Sequence, residues 1–266
     1  MNETQRTHTL ITGASLGIGR ALAIECARRN MNLALIDLPD AGLPQTINYL
    51  EKHYSVDIRS LEVDLTTPNS AENIYDWTRR QNITVRILIN NAGKGHLGAF
   101  TDYGHTFYGK MVRLNIESVV LLTRLFLPEM KKLERAYIMN LGSIASFYPI
   151  PYKIVYAGSK SFIYSFSRAL KEELRNTPVS ISVLCPGPIL TNTEVIKRIR
   201  RGGYWARLSA MRPAKMARIA ISALLSGKSV IIPGGVNRFF RTASMLVPTP
   251  LKQRLLARKF SVQEKI

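Results

Sequence analysis

The chain is 266 residues long, 46% hydrophobic and strongly basic, with a formal net charge of +19 at pH 7. That size and apolar content suit one α/β domain around a single buried core, and no Pro/Gly/Ser-rich linker, low-complexity stretch or solenoid repeat divides it. No uninterrupted apolar run approaches the roughly 18 residues of a membrane span, which argues against a transmembrane protein.

Only two cysteines occur, Cys26 and Cys185, each within an apolar run and neither with metal-ligand spacing. They read as small buried side chains in a reducing compartment, and no metal site is expected. The N-terminal segment MNETQRTHTLITG runs straight into an apolar strand pattern without a secretory leader, so a cytoplasmic location is expected. From Glu194 onward there are 16 Lys/Arg against two acids, so the basic excess is concentrated in the last quarter. Such a segment attracts nucleic acid, anionic lipid or an acidic substrate, or is simply a solvated surface. No nucleic-acid recognition module accompanies it, and no nucleic-acid partner is expected.

Strand patterns fall at 8–12, 33–37, 58–64, 86–90, 136–141, 179–185 and 229–233. Helical patterns lie between them: 17–30, about 41–53, a helix opening at Pro68, 105–132, 154–176 and 213–226. Apolar strands without clean alternation, each followed by a helix, predict a parallel sheet covered on both faces. Right-handed crossovers then wind it into a three-layer, doubly wound Rossmann-type α/β fold with seven parallel strands, a single domain over 1–266. Ligands of such sheets bind at the carboxyl ends of the strands.

The first strand ends in Thr12-Gly13-Ala14-Ser15-Leu16-Gly17-Ile18-Gly19, which opens a helix. Glycines there allow a tight turn and close approach of a pyrophosphate to the backbone, and the helix N-terminus favours its charge. Asp37, at the end of the second strand, can accept hydrogen bonds from the adenosine ribose hydroxyls and would repel a 2′-phosphate. No Lys or Arg follows it directly, so NAD is the expected cofactor, with NADP as the alternative. Tyr156 and Lys160 stand four residues apart at the start of a long helix, so phenol and ammonium face one space. A nearby Lys⁺ lowers a phenol that otherwise titrates near about 10, making it an acid–base group at neutral pH. Ser143, just past the 136–141 strand, is placed to hydrogen-bond a substrate carbonyl oxygen beside Tyr156.

The TGxxxGxG turn resembles that of the short-chain dehydrogenase/reductase family, and other segments resemble it too. Asn115, Ser143, Tyr156 and Lys160 match the family's catalytic tetrad in type, order and approximate spacing. The resemblance implies that Tyr156 gives or takes the proton and that Ser143 polarises the substrate oxygen. It further implies that Lys160 tunes Tyr156 and holds the nicotinamide ribose, while Asn115 holds a relay water. Cofactor contacts implied by the matching motifs are Gly13, Ser15, Leu16, Gly17, Ile18 and Gly19 in the turn, with Asp37 after it. Asp64 and Leu65 follow the third strand, and Asn91, Ala92 and Gly93 belong to an NNAG motif. Tyr156, Lys160, and Pro186, Gly187, Ile189 and Thr191 of a PGxxxT segment complete the set. Gly142 stands where relatives often carry Ser, a change expected to be tolerated.

The expected activity is hydride transfer between a nicotinamide and a carbonyl or secondary alcohol. The substrate is expected to be hydrophobic, such as a 3-oxoacyl or steroid-like compound. Residues 192–212 would form its lid, mixing Lys197, Arg198, Arg200, Arg201 and Arg207 with Ile196, Ile199, Tyr204 and Trp205. The Tyr148–Pro151 loop would add apolar wall. Family resemblance implies a homo-oligomer, dimer or tetramer. The basic extension over 235–266 holds a run that can place Leu251, Leu255 and Leu256 on one face, suited to peripheral membrane contact or to packing on protein. A rival reading, a non-catalytic NAD(P)-binding scaffold or sensor on a membrane, has no need of an intact tetrad.

Overall fold

A computed structural model describes residues 7–191, 196, 197, 199 and 207–264. The chain runs β1 (His8–Thr12), α1 (Gly17–Arg28), β2 (Asn32–Asp37), α2 (Leu43–His53), β3 (Ile58–Glu62), α3 (Ser70–Arg80) and β4 (Val85–Asn90). It continues through α4 (His105–Val112), a π turn (Arg113–Glu117), α5 (Ser118–Met130), β5 (Ala136–Leu141), α6 (Ile154–Glu173) and β6 (Val179–Leu184). The last elements are α7 (Pro213–Leu225), β7 (Val230–Ile231), α8 (Gly235–Met245) and α9 (Thr249–Glu264).

The strands form one seven-stranded sheet in the order β3-β2-β1-β4-β5-β6-β7. Every pairing is parallel. Alternate residues of one strand enter different cores, because side chains alternate across a pleat. Ile11, Leu33, Leu35, Ile89 and Met139 pack with Leu22 of α1 and Met216 and Ala220 of α7. Leu10, Ala34, Ile36, Leu88 and Ile138 pack instead with Ile74 of α3 and Leu122 and Phe126 of α5. Both faces of the central strands are dry, which is why those strands read as apolar runs, whereas edge strand β3 exposes Arg59, Ser60 and Glu62. β1 and β4 sit side by side at the centre while the winding runs outward both ways, so the crevice between their carboxyl ends is the switch point.

Several predicted boundaries moved, each for a local reason. The helix expected from Pro68 starts at Ser70, because Asn69 takes a left-handed conformation (φ 59°) just after a turn in which the Thr67 N–H bonds the Asp64 carbonyl. The single helix expected over 105–132 is interrupted by the π turn, where the Ser118 N–H bonds the Arg113 carbonyl five residues back. No residue type in Arg113–Glu117 marks the extra residue of that turn, so the sequence gives no warning of it. β3 stops at Glu62 and β7 has only two residues, both shorter than expected. Beyond β7 the basic extension forms two helices, α8 and α9. Leu256 turns inward against Ile150 and Ala157, whereas Leu251 and Leu255 face outward, so the expected three-leucine stripe is split.

Leu35 is fully buried at the centre of the first core. Leu35→Ala is expected to cost about 2–5 kcal/mol of stability, read as a lowered thermal midpoint, since the two flanking layers have little room to collapse. A loss well under 1 kcal/mol would contradict that packing.

Candidate active site

The β1–α1 turn is built around glycines that have no substitute. Gly13 has φ 68°, and a Cβ there would come within 2.9 Å of Asn91 Nδ2 and 3.0 Å of Ala92 Cα. A Cβ on Gly19 would collide with the Gly13 carbonyl oxygen, and Gly17 has φ 57° with Thr191 Cγ2 3.1 Å from its Cβ position. The turn is pinned from the neighbouring strand end: Asn91 Nδ2 donates to the carbonyls of Thr12 (2.8 Å) and Gly13 (3.0 Å). Thr12 Oγ1 accepts the N–H groups of Asn91 and Ala92 at 3.1 and 3.0 Å. The TGxxxGxG, NNAG and PGxxxT segments, far apart in sequence, therefore meet at one point. Ile18 packs partly buried on the first core, and Leu16 is 69% exposed beside the turn.

Asp37 closes on the same turn. Its Oδ2 accepts the Ser15 N–H at 2.6 Å and its Oδ1 accepts the Leu38 N–H at 2.8 Å. Each carboxylate oxygen retains a lone pair for a further donor. Ser15 Oγ is buried without a hydrogen-bond partner although its backbone is held, its carbonyl accepting Thr46 Oγ1 at 2.8 Å. At the end of β3, Asp64 Oδ1 accepts the Thr66 N–H at 2.8 Å and Leu65 is buried.

The four residues expected as a tetrad come from α6, the π turn and the loop after β5. Asn115 is wholly buried in the π turn, and its side chain makes three bonds. Oδ1 accepts the Lys94 N–H (2.9 Å), while Nδ2 donates to the Lys94 carbonyl (3.0 Å) and to Ser159 Oγ (3.0 Å). Both amide hydrogens are thus used in clamping the 94 loop to α6, which leaves only the second lone pair of Oδ1 for a relay water. Lys160, next in α6, is 4% exposed and its Nζ donates to the Leu141 carbonyl at 2.7 Å. Burial pulls its ammonium down to about 8. A Cβ on Gly93 would lie 3.2 Å from both Lys160 Nζ and Asn115 Oδ1, so the two groups flank one small space. Gly95 lies against the ring of half-buried Tyr156, its Cβ position 3.2 Å from Cε2.

Ser143 leaves β5 in an extended conformation, with its Oγ accepting the Ala145 N–H at 3.1 Å. Ser146 braces this loop against the helix, accepting the Ser143 N–H (3.2 Å) and donating to the Lys160 carbonyl (2.8 Å). Gly142 is more than tolerated, because a side chain there would meet Cys185 Sγ at 2.9 Å and Val183 Cγ2 at 3.0 Å. Burial pushes the Cys185 thiol up to about 12, so it stays neutral beside this site.

Two positioning groups escaped the sequence reading. Asn237 of α8 is buried, donates to the Ser209 (3.1 Å) and Pro233 (3.0 Å) carbonyls, and presses on Gly187, whose Cβ position is 2.5 Å from its Oδ1. It thereby fixes the Pro186–Thr191 segment, where buried Ile189 bridges to Met211 and the Pro186 carbonyl accepts the Ile144 N–H at 3.1 Å. Ser146 is the other. An asparagine in a helix and a serine beside a serine carry no sequence signature of their own. Of the expected lid, residues 192–195, 198 and 200–206, with Arg198, Arg200, Arg201, Tyr204 and Trp205, lie outside the described residues. Ile199 is buried, and the Tyr148–Pro151 loop does form apolar wall, with Ile150 packed under Tyr156.

The arrangement fits a dinucleotide. Glycine-lined backbone at a helix N-terminus with an orphaned buried hydroxyl suits a pyrophosphate, and a carboxylate at the next strand end suits a ribose. A phenol and a buried ammonium suit proton transfer next to it. Among the described residues no group of His, Cys, Asp and Glu could hold a metal ion.

The profile of the short chain dehydrogenase family matches residues 7–201. The very-long-chain 3-oxoacyl-CoA reductase of Anas platyrhynchos is 31% identical over 197 residues, covering 71% of this chain and 62% of that protein. The chain thus spans under two thirds of the length of that relative. In three dimensions it is similar to the bulky-bulky ketone specific alcohol dehydrogenase of Comamonas testosteroni, with TM-score 0.77, 25% identity and coverage of 91% and 92% of the two chains. A short-chain dehydrogenase of Sphingobium yanoikuyae in complex with NADPH gives TM-score 0.77, 25% identity and coverage of 90% and 93%. With the turn, the strand-end carboxylate and the tyrosine–lysine helix in place, this chain belongs to the short chain dehydrogenase family of NAD(P)-dependent oxidoreductases.

Proposed function

We propose that the protein interconverts a hydrophobic ketone and its secondary alcohol, with a 3-oxoacyl thioester as the favoured substrate class and NAD as the favoured cofactor. The observation that carries the activity is that Asn115 Oδ1 and Lys160 Nζ flank Gly93 while the Tyr156 ring lies on Gly95, with Ser143 on the loop that Ser146 ties to Lys160. The dinucleotide, when bound, supplies or accepts the hydride at its nicotinamide. Tyr156 donates the proton to the carbonyl oxygen in reduction and recovers it in oxidation. Lys160, held rigidly on the Leu141 carbonyl, stabilises the phenolate and offers donors to the nicotinamide ribose. Ser143 Oγ, which accepts one N–H and keeps its own hydrogen, has a donor for the substrate oxygen. Gly93, Asn115 Oδ1 and Lys160 Nζ frame the space through which a water returns the proton.

The substrate class draws on the names of the relatives, very-long-chain 3-oxoacyl-CoA reductases, and on the apolar wall at Ile150. Cofactor choice turns on Asp37, since its carboxylate favours ribose hydroxyls over a 2′-phosphate, although structural neighbours include holders of NADPH as well as of NAD. A second copy of the chain would find a ready surface on α6, where Phe162 is exposed and stacks on Phe166. Two free, buried thiols suit a cytoplasmic setting.

Tyr156→Phe is expected to reduce turnover by at least about 10²-fold while NADH affinity by fluorescence titration changes little. Substantial residual turnover would remove Tyr156 from the proton-transfer role. Asp37→Ala is expected to erase a preference for NADH over NADPH that the wild type shows in the same titration. A wild type that prefers NADPH would overturn the cofactor assignment.

The Lys160 ammonium has a sharper consequence in the cofactor-free protein. Its folded pKa of about 8 lies below the ordinary 10.5, so between those values the unfolded chain holds a proton that the folded one has released. Stability from this group therefore rises with pH across that window, by up to about 1.4 kcal/mol per pH unit, and below pH 8 its burial penalty is fully present. Denaturant unfolding should show wild type gaining on Lys160→Met from pH 8 towards pH 10. Parallel pH profiles would show that the ammonium is not desolvated.

A further inference from the structure

The chain from Val195 to Gln263 contains no Asp or Glu, and it carries 15 Lys/Arg residues. Within that stretch, α8 and α9 also expose large apolar side chains: Phe239 is 68% exposed, Leu246 88%, Leu251 50% and Leu255 60%. Phe239 and Leu246 are seven residues apart and share one side of α8 and its C-terminal cap, with Arg238 beside them. Leu251 and Leu255 are four apart on α9, flanked on the same side by Arg254 and Arg258. The inner sides of these helices are anchored. Leu256 packs on Ile150 and Ala157, Asn237 is buried, and Lys252 Nζ donates to the Ser244 carbonyl at 3.1 Å. The outward leucines and Phe239 are therefore not a face waiting for its own domain.

We propose that α8 and α9 form a docking surface for an anionic lipid bilayer, with Phe239, Leu246, Leu251 and Leu255 entering the headgroup layer. The charge pattern selects this occupant. Long cationic side chains interleaved with apolar ones lay their stems along the hydrocarbon boundary and place their heads on lipid phosphates. A protein partner matched to the same surface would have to be acidic and apolar together, whereas an anionic bilayer presents both over any area. Among the described residues no helix is long and apolar enough to cross a membrane, so the contact is one of lying on the surface.

The site gives the docking a purpose. Tyr148 Oη and Ser244 Oγ hydrogen-bond at 2.7 Å, and the Arg241 guanidinium stacks over Phe147 at 5.0 Å, tying α8 to the loop that precedes Tyr156. That loop and α9 enclose an apolar cleft of about 960 Å³, with Ile150 and Ile154 on one side and Pro250 and Ala257 on the other. Docking would bring this cleft to the membrane surface, where a long-chain substrate resides.

The test is co-sedimentation of the full chain with vesicles of phosphatidylcholine alone and of equal parts phosphatidylcholine and phosphatidylglycerol. The expected result is binding to the anionic vesicles only, weakened by salt. The Phe239→Ser/Leu251→Ser/Leu255→Ser variant is expected to bind at least about tenfold more weakly. Circular dichroism of the variant and its turnover of a short water-soluble ketone, both expected to match wild type, separate loss of docking from loss of folding. They also separate failure of this proposal from failure of the catalytic reading. Absence of wild-type binding, or equal binding by a correctly folded variant, overturns the proposal. So does a wild-type dimer in gel filtration that the variant abolishes without any lipid binding, which would assign the surface to a second copy. Should this variant misfold, Leu251→Ser/Leu255→Ser is carried through the same comparison.

Discussion

A parallel sheet dry on both faces sends the carboxyl end of every strand to one edge, and everything functional in this chain depends on that constraint. Thr12, Asp37, Asn91, Ser143 and Pro186 are distant in sequence, yet each ends a strand of the same sheet or stands within two residues of its carboxyl end. Strand-end polar groups need not satisfy each other within the sheet ladder, so they are available to brace loops and face a ligand. The site is therefore a consequence of topology before it is a matter of individual residues.

Within that edge, rigidity comes from small polar clamps in dry surroundings. Asn91 locks the glycine turn through two carbonyls, and Asn115 locks the 94 loop to α6 through three bonds. Each clamp buries an amide whose hydrogens are both used, so neither adds an unpaired donor. Lys160 is the exception, a buried ammonium with one carbonyl partner and a depressed pKa. Fold stability at neutral pH is lowered by that group, and the proposed chemistry explains why it is there. The second asparagine pair, Asn90 with Asn140 at 2.8 Å, extends the same logic into the sheet, linking β4 to β5 below the site.

Much of this was legible in the sequence, because the signals were local. Strand-like segments alternating with helical patterns pointed to all seven strands and the helices between them, and the glycine spacing located the turn. Tyr156 and Lys160 were readable because helical geometry makes four-residue spacing a statement about direction. The π turn was not readable, since no residue type within Arg113–Glu117 marks the added residue. Nor was Asn237, whose importance depends on Gly187 arriving from elsewhere in the chain. The split between Leu256 and its neighbours Leu251 and Leu255 depends on where the Tyr148–Pro151 loop lies, a tertiary fact. Long-range placement, more than residue type, is what the sequence withheld.

The central claim is that this edge holds a nicotinamide beside a ketone and moves a hydride between them. The most direct measurement is isotope transfer: incubate the protein with 4,4-dideuterated NADH and a hydrophobic 3-oxoacyl thioester, then locate the label by mass spectrometry. The account predicts one deuterium on the carbinol carbon of the product and none there when the label is supplied only as solvent deuterium. Product labelled at that carbon from solvent, or the absence of any transfer with either nicotinamide cofactor, would contradict it.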